Sequence, residues 1–590
     1  MCERIERIPI PLQRHEQIRK LPRNSTKMKN KPETCLDRGA TSRQSLVQVA
    51  IVFLMSYLLL FVSMSRRPGP YDEGIVLTGA MRVAVGQIPH RDFYFIYGPA
   101  EVYILAGLFK IFGPSLLAER LFDLLIKALV VTTVYAIASS YCRRSIALFV
   151  SVVTALWLVG LNVYGLALTP VSLLNLIGSA LILPAFAGRV SIKRMLAAGA
   201  VSGIASLFRY DTGVALLGIH ACVLAIAVCL RTQDFPIRLR EFATTFWPYL
   251  LGFAALTVMP ALYYLSVAPL APLLQDIIVF PHRYYFRGRN LPFPKITLRG
   301  IENLGIYLPL AIAALSLYVL IIRRPRTAST EEACAEEVTQ ERQWQGFLIT
   351  FGVLLVVMYL KGVVRVAPIQ MYLAIVPSLL IIAVLFQHRS AFSRAIRIAI
   401  GSLMWLSLLA ATWSALHLVR LEDLQHDSVA QEILPFARYT SPDTPGWCEA
   451  KNPLTSGFCF LPDDDRIRAI EFITSHTLPG QFLYSGLRKH DMIFANDSLI
   501  YFATQRLPAT RWSHFDPDLQ NRYENQMQMV HELQQNAPPY IALDSEFDMV
   551  REPNDSSKSS GVMLLDNYIQ EEYQPSESFG KMSIWRRRNQ

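Results

Sequence analysis

Apolar runs long enough to cross a bilayer recur through the first two thirds of the chain, and the turns at one end of them are short and rich in Arg. A run of roughly 18 or more apolar residues reads as a membrane span, because in lipid only a helix satisfies its own backbone groups. The first is "LVQVAIVFLMSYLLLFVSM" from Leu46, and the last is "IAIGSLMWLSLLAATWSAL" from Ile398. Between them the pattern gives eleven spans, of which the fifth, "MLAAGAVSGIASLF", and the ninth, "FLITFGVLLVVMYL", are the shortest. One set of turns carries Arg143 and Arg144, then Arg189, Lys193 and Arg194, then Arg231, Arg238 and Arg240, then "RRPR" and "QHRSAFSRAIR". Such clusters mark the cytoplasmic side, so the amino end is expected inside and the carboxyl end outside.

The expected fold class is therefore a polytopic α-helical membrane protein of about eleven transmembrane helices, N-in and C-out, with a small C-terminal α/β extracytoplasmic domain. Composition agrees: of 590 residues, 52% are hydrophobic and 17% charged, which argues against the several soluble domains this length would otherwise allow. The net charge of +11 does not point to nucleic acid, since the basic residues sit between apolar runs and no binding motif accompanies them. Residues 1–44 read as a basic cytoplasmic tail, disordered and too charged for a cleaved signal peptide. Residues 45–419 form the membrane core, with large outer loops near 65–115 and 268–302. "AEVYILAGLFKIF", inside the first loop, is too short to span and is expected along the interface. From 420 to 590 helix and strand alternate: "DRIRAIEFITSHTLPGQFLYSG", "DLQNRYENQMQMVHELQQNAPPYIALDS", "LLDNYIQEEY", then a closing strand in "SFGKMSIWRRR".

Cysteine usage says little about chemistry. Cys142, Cys222 and Cys229 lie in or beside spans and act as small apolar residues. Cys448 and Cys459 are disulfide candidates in an extracytoplasmic tail, and no zinc-type CxxC spacing occurs. No organic cofactor is expected, no residues are singled out as metal ligands, and the sequence does not fix a metal requirement.

The stretch "RRPGPYDEGI", residues 66–75, sets Asp72 and Glu73 just beyond the first span. Pro68 and Pro70 keep the preceding chain out of helix, and "GIVLTGAMRVAV" can form one, which puts Asp72 at the N-cap. One reading is a cap with a favourable dipole contact, about 1 kcal/mol. The other is a general base, held ionised by the same helix start. Further along, "GQIPHRDFYFIYGP" gathers His90, Arg91, Asp92, Tyr94 and Tyr97, which suits either an interfacial aromatic belt or a substrate site. The second outer loop, "HRYYFRGRNLPFPK", supplies Arg283, Arg287, Arg289 and Lys295, and Lys361 and Arg365 fall on the same side. Positive charge on the outer face runs against the sidedness rule and wants a reason; phosphate binding by guanidinium forks is one, and attraction to anionic headgroups is another. Asp123 and Lys127, four apart within a span, are expected to pair, and His220 is expected as a hydrogen-bonded core residue.

"YDEG" after the first span, then "G.IPHRDF....GP", then "FGPSLLAERL" resemble the membrane glycosyltransferases of superfamily C, specifically bacterial relatives of protein O-mannosyltransferases, aminoarabinose transferases and Rgt-type enzymes. The resemblance covers roughly residues 45–420. It implies a multi-pass protein of the bacterial inner membrane that moves a hexose or pentose from a polyprenyl-phosphate donor to a glycan, lipid or protein acceptor of the cell envelope. It implies an acidic base in the first outer loop, at Asp72 with Glu73 beside it. His90, Arg91, Asp92, Tyr97, Arg283, Arg287, Arg289, Lys361 and Arg365 are then the candidate substrate-binding residues. Neither sugar nor acceptor carries over. The chemistry fits: phosphate is already a good leaving group, so one base and stabilising cations suffice. The alternative is a lipid or glycolipid flippase or transporter, which would favour mid-membrane charge and repeated halves. A non-catalytic membrane anchor would leave both elaborate outer loops without a purpose.

Overall fold

The computed structural model describes residues 42–65, 68–162, 164–232, 234–297, 300–322, 335–418, 447–448, 459–460 and 464–588. The expected basic tail lies almost wholly outside these residues, as does the junction near 420. The side chains of Cys448 and Cys459 are also outside the description; their strands, β1 (Trp447–Cys448) and β2 (Cys459–Phe460), pair antiparallel. From Gln48 onward the described residues form one unit, and Ser42–Val47 contribute the opening of the first helix.

Helix α1 (Ser42–Val62) leads into α2 (Asp72–Ala84) and α3 (Ala100–Phe112), both of 13 residues. Then come α4 (Leu116–Ser139), α5 (Arg144–Leu161), α6 (Leu168–Ile182), α7 (Ile192–Phe208), α8 (Tyr210–Cys229) and α9 (Phe235–Val267). The second outer loop holds α10 (Leu270–Leu274), two π-helical turns and α11 (Phe286–Arg289). The helices α12 (Leu304–Ile322), α13 (Ala335–Gly362), α14 (Tyr372–Gln387) and α15 (Arg394–Leu418) complete the apolar part. Among the described residues nine helices are long and apolar enough to cross a membrane: α1, α4, α5, α6, α8, α9, α12, α13 and α15. The other two expected spans coincide with α7, of 17 residues, and α14, of 16.

Small residues let these helices close on each other. In α7, Gly199 and Gly203 stand one turn apart and face α9; a Cβ at Gly199 would lie 1.9 Å from the Tyr249 carbonyl oxygen. Gly252 answers from α9, where a Cβ would come within 2.1 Å of the Leu196 carbonyl oxygen. In lipid, where no hydrophobic force drives helices together, such close backbone contact supplies the packing. His220 is buried and bonds Tyr249 Oη at 2.9 Å, as a core histidine does. Asp123 and Lys127 pair at 2.7 Å, as their spacing predicts.

The C-terminal part is the expected α/β unit. Five strands, β3 (Phe482–Leu487), β4 (Leu507–Pro508), β5 (Tyr540–Asp544), β6 (Tyr573–Phe579) and β7 (Met582–Arg587), lie in the order β4-β3-β5-β7-β6. The first three are parallel, and β7 runs antiparallel to both β5 and β6. This unit grips the segment between α1 and α4. Ser498 and Leu499 donate backbone N–H to the Pro70 carbonyl at 2.8 and 3.1 Å. Thr78 Oγ1 donates to the Ser498 carbonyl at 2.8 Å, and Arg82 Nη1 to that of Thr510 at 3.2 Å. Gly74 permits the approach, since a Cβ there would lie 2.5 Å from Leu499 N. The result is that α2 is buried along nearly its whole length between the core and the tail.

Candidate active site

Helix α2 starts at Asp72 with Tyr71 at the N-cap and no side-chain cap, one residue away from the expected arrangement. The turn is closed instead by Glu73, whose Oε2 accepts from Gly69 N at 2.6 Å, and by Gly74 N donating to the Gly69 carbonyl. Asp72 therefore sits in the first helical turn, where the dipole still favours a carboxylate. Successive helical side chains point in different directions, and here the two acids part company. Glu73 turns inward to a buried two-pronged pair with Arg120 of α4, Nε on Oε1 and Nη2 on Oε2 at 2.8 Å. Arg120 also donates to the Ser65 carbonyl and lies 3.7 Å from the centre of the Tyr164 ring.

Asp72 is half-buried and faces other segments. Burial pushes its carboxyl up from the ordinary value, with Arg289 the strongest opposing influence; Asp516 adds to the rise, and Arg365 and the Tyr97 hydroxyl oppose it. Arg289 Nη2 bonds both Tyr71 Oη, at 2.8 Å, and Asp516 Oδ1. Tyr71 Oη in turn donates to Asp516 Oδ1 at 3.0 Å, and Tyr94 Oη donates to Asp516 Oδ2 at 3.2 Å. The Asp516 carboxylate is held below its ordinary value despite burial, chiefly by Arg289. Arg365 holds Glu552 by both oxygens, at 2.6 and 2.9 Å. On the Tyr97 side, the Arg209 guanidinium lies 5.3 Å from the ring centre, and Asp211 bridges Arg209, at 3.4 Å, and Lys361, at 2.9 Å. Burial raises the phenols of Tyr71 and Tyr97 well above their ordinary value, so both remain hydrogen-bond donors.

Of the residues singled out from sequence, Asp72, Tyr97, Arg289 and Arg365 come together, and Lys361 joins through Asp211 and Arg209. The others stand elsewhere. Glu73 is committed to Arg120. His90, with φ of 66°, is buried against Asp276 at 3.2 Å, and Arg511 reaches the same carboxylate at 2.7 Å; this is a joint between both outer loops and the tail. Arg91 and Asp92 pair with each other at 2.7 Å near the surface. Arg283 and Lys295 are exposed, and Arg287 faces a separate cavity beside Tyr284 and Arg522. Sequence reasoning missed Tyr71, Asp516, Glu552, Arg209 and Asp211. The charged triplet Arg209-Tyr210-Asp211 at a span end was a signal, although it reads equally as a boundary marker. Asp516 and Glu552 carried none, because their role depends on where the tail docks.

No family model matches the chain, and no curated protein matches it in sequence. Solved structures do match in fold. The chain is similar to ArnT, an aminoarabinose transferase from Cupriavidus metallidurans, in its apo state: 13% identity, TM-score 0.53, with 92% of this chain and 98% of that one covered. The same protein bound to undecaprenyl phosphate aligns at 13% identity over the same shares with a TM-score of 0.49. The oligosaccharyltransferase AglB from Archaeoglobus fulgidus, in complex with an inhibitory peptide and a dolichol-phosphate, aligns at 11% identity and TM-score 0.44, covering 85% of this chain and 70% of that one. The chain thus shares the fold of ArnT.

Proposed function

We propose that this GT-C membrane protein transfers a sugar from a polyprenyl-phosphate donor to an acceptor hydroxyl at the outer membrane face, with inversion and with Asp72 as general base. The observation that carries the reading is that Arg289 bonds Tyr71, the residue before Asp72, at 2.8 Å, and that Arg365 bonds the Arg289 carbonyl at 3.4 Å, which sets two guanidinium groups from separate segments beside the start of α2. The fold shared with an aminoarabinose transferase is compatible with it, and fold alone does not dictate chemistry.

In one displacement, the acceptor oxygen bonds to the anomeric carbon as the bond from that carbon to the phosphate oxygen breaks. Asp72 takes the acceptor's proton, and the electron pair leaves with the polyprenyl phosphate. Arg289 and Arg365 receive the phosphate oxygens, a task that suits planar forks with paired donors. Both arginines hold carboxylates, Asp516 and Glu552, and a donor phosphate replaces at least the Glu552 contact. Tyr97 orients Asp72, and Tyr71 orients Arg289. Glu73 positions α2 through Arg120 and touches no substrate in this reading. A raised carboxyl is a stronger base once ionised, which suits proton abstraction near neutral pH.

The test is transfer from a panel of radiolabelled polyprenyl-phosphate sugars to a membrane extract, by wild type and Asp72→Asn. Losing a positioned base typically costs about 10²–10⁴ in rate. Equal transfer by the variant would remove Asp72 from the reaction. A flippase would instead move donor between leaflets without breaking the sugar–phosphate bond, which the same assay detects as no product.

A further inference from the structure

A second cavity, of about 420 Å3, lies between the second outer loop and the C-terminal sheet domain. Tyr284 and Arg287 line one side, and Asp518, Asn521, Arg522 and Tyr523 line the other. It adjoins the reaction site through neighbouring positions on both elements. Arg289 points to the site and Arg287, two residues earlier, to the cavity; Asp516 belongs to the site and Asp518, two residues later, to the cavity. Gly288 and Pro517 form the contact between them. A Cβ on Gly288 would stand 3.1 Å from Pro517 Cβ and 3.1 Å from Asp518 Oδ2, so the two segments touch backbone to ring with no room to spare.

The chemistry of the lining selects the ligand. Asn521 is buried to 5% exposure, and its Oδ1 has no hydrogen-bond partner within the protein. An unmet buried acceptor is costly, and a ligand hydroxyl recovers that cost. Tyr523 is 54% exposed and offers an aromatic side to an apolar surface. Arg522 is fixed by its bond to Tyr284 Oη at 2.6 Å and by stacking on that ring at 4.1 Å. Two guanidinium groups, Arg287 and Arg522, meet three carboxylates, Asp518, Glu524 and Asp555, so the cavity has no surplus of positive charge for phosphate or uronate. Planar carboxylate, amide and guanidinium groups beside an aromatic ring match the paired hydroxyls and the C–H face of a neutral pyranose.

We propose that this cavity is a carbohydrate subsite that holds a neutral sugar unit of a glycan acceptor next to the reaction site. Its acceptor role rests on the transferase reading above; its affinity for sugar does not. The experiment uses the full chain in lipid nanodiscs and saturation-transfer NMR with mannotriose, maltotriose, cellotriose and, as an anionic probe, trigalacturonate. Wild type should bind at least one neutral trisaccharide. Tyr523→Ala and Asn521→Ala should each weaken that binding about tenfold, while Met549→Ala, on an exposed residue elsewhere, leaves it unchanged. Because Tyr523 is exposed, its loss tests binding without a fold defect, and unchanged melting confirms this. No binding by wild type, equal binding by both cavity variants, or a preference for trigalacturonate would overturn the proposal. Absence of transfer from every polyprenyl-phosphate donor, with trisaccharide binding intact and dependent on Tyr523, would defeat the transferase reading and leave the subsite standing.

Discussion

Asp72 and Glu73 are neighbours with opposite fates, and substitution should separate them. Glu73 and Arg120 are buried together, at 2% and 1% side-chain exposure. Removing the Glu73 charge breaks this two-pronged pair and leaves buried Arg120 the more distant Glu119 carboxylate at 3.7 Å, at a cost of about 3–5 kcal/mol. Glu73→Gln is therefore expected to melt well below wild type in detergent, whereas Asp72→Asn melts within a few degrees of it and loses transfer. Equal melting of the two would refute the division. The direction of the Asp72 shift adds a pH signature. Burial raises this carboxyl, so the active, ionised form accumulates only as pH climbs past a value above the ordinary ~3.9. The acid limb of the transfer rate should lie above the ordinary carboxylate range. A rate still flat below pH 4 would speak against Asp72 as base. Glu552 offers a third contrast. It occupies both prongs of Arg365, so Glu552→Gln weakens a rival to donor phosphate and should lower the apparent KM for donor severalfold. A higher KM would show that Glu552 positions Arg365 instead. The acid pair was legible in the sequence because prolines and a helix start flank it. Its division of labour was not, since that depends on Arg120, 47 residues downstream.

At the level of elements, apolar runs and turn residues predicted nearly every helix, and the alternation of helix and strand predicted the tail sheet. What the sequence could not express was the contact of α2 with the tail. Gly74 gave no sign of it: a glycine two residues after a helix start has many explanations. In the fold it is the point where α2 meets Leu499. Gly74→Ala is expected to force α2 off the tail, lower melting and reduce transfer, because Asp72 is two residues away. Gly218→Ala in α8 is the matched control. Nothing lies within 4 Å of a Cβ there, so replacement should stabilise by about 0.4–1 kcal/mol through the unfolded chain. Identical effects from both glycines would mean that the α2–tail contact does not hold the site. The same contact explains why Asp516 and Tyr71 escaped notice. They are 445 residues apart, and no local pattern joins them.

Contacts on one side of the molecule constrain how many helices cross. Tyr94 N bonds the Arg511 carbonyl, and Asp276 bonds both His90 and Arg511, so the first loop, the second loop and the tail share a face. A chain that leaves a face and returns must cross an even number of times. Between the first and second loops lie α4, α5, α6, α7, α8 and α9, a count that is even only when the short α7 crosses. Between the second loop and the tail lie α12, α13, α14 and α15, which is even only when α14 crosses. The 17 residues of α7 rise about 25 Å, close to the hydrocarbon thickness, and its glycines let α9 shield it. With the nine long helices crossing, parity calls for a crossing by both helices that fall short on length, and the prediction is the eleven spans expected from the sequence. Single cysteines placed in a cysteine-free chain would check this with a membrane-impermeant maleimide. Val85→Cys, Phe286→Cys and Met549→Cys, all at exposed positions, should react from one side. Val190→Cys, between α6 and α7 and three crossings from each outer loop, should react only from the other. Labelling of position 190 together with position 85 would break the parity, and with it the shared face on which Arg289 meets Tyr71 beside Asp72.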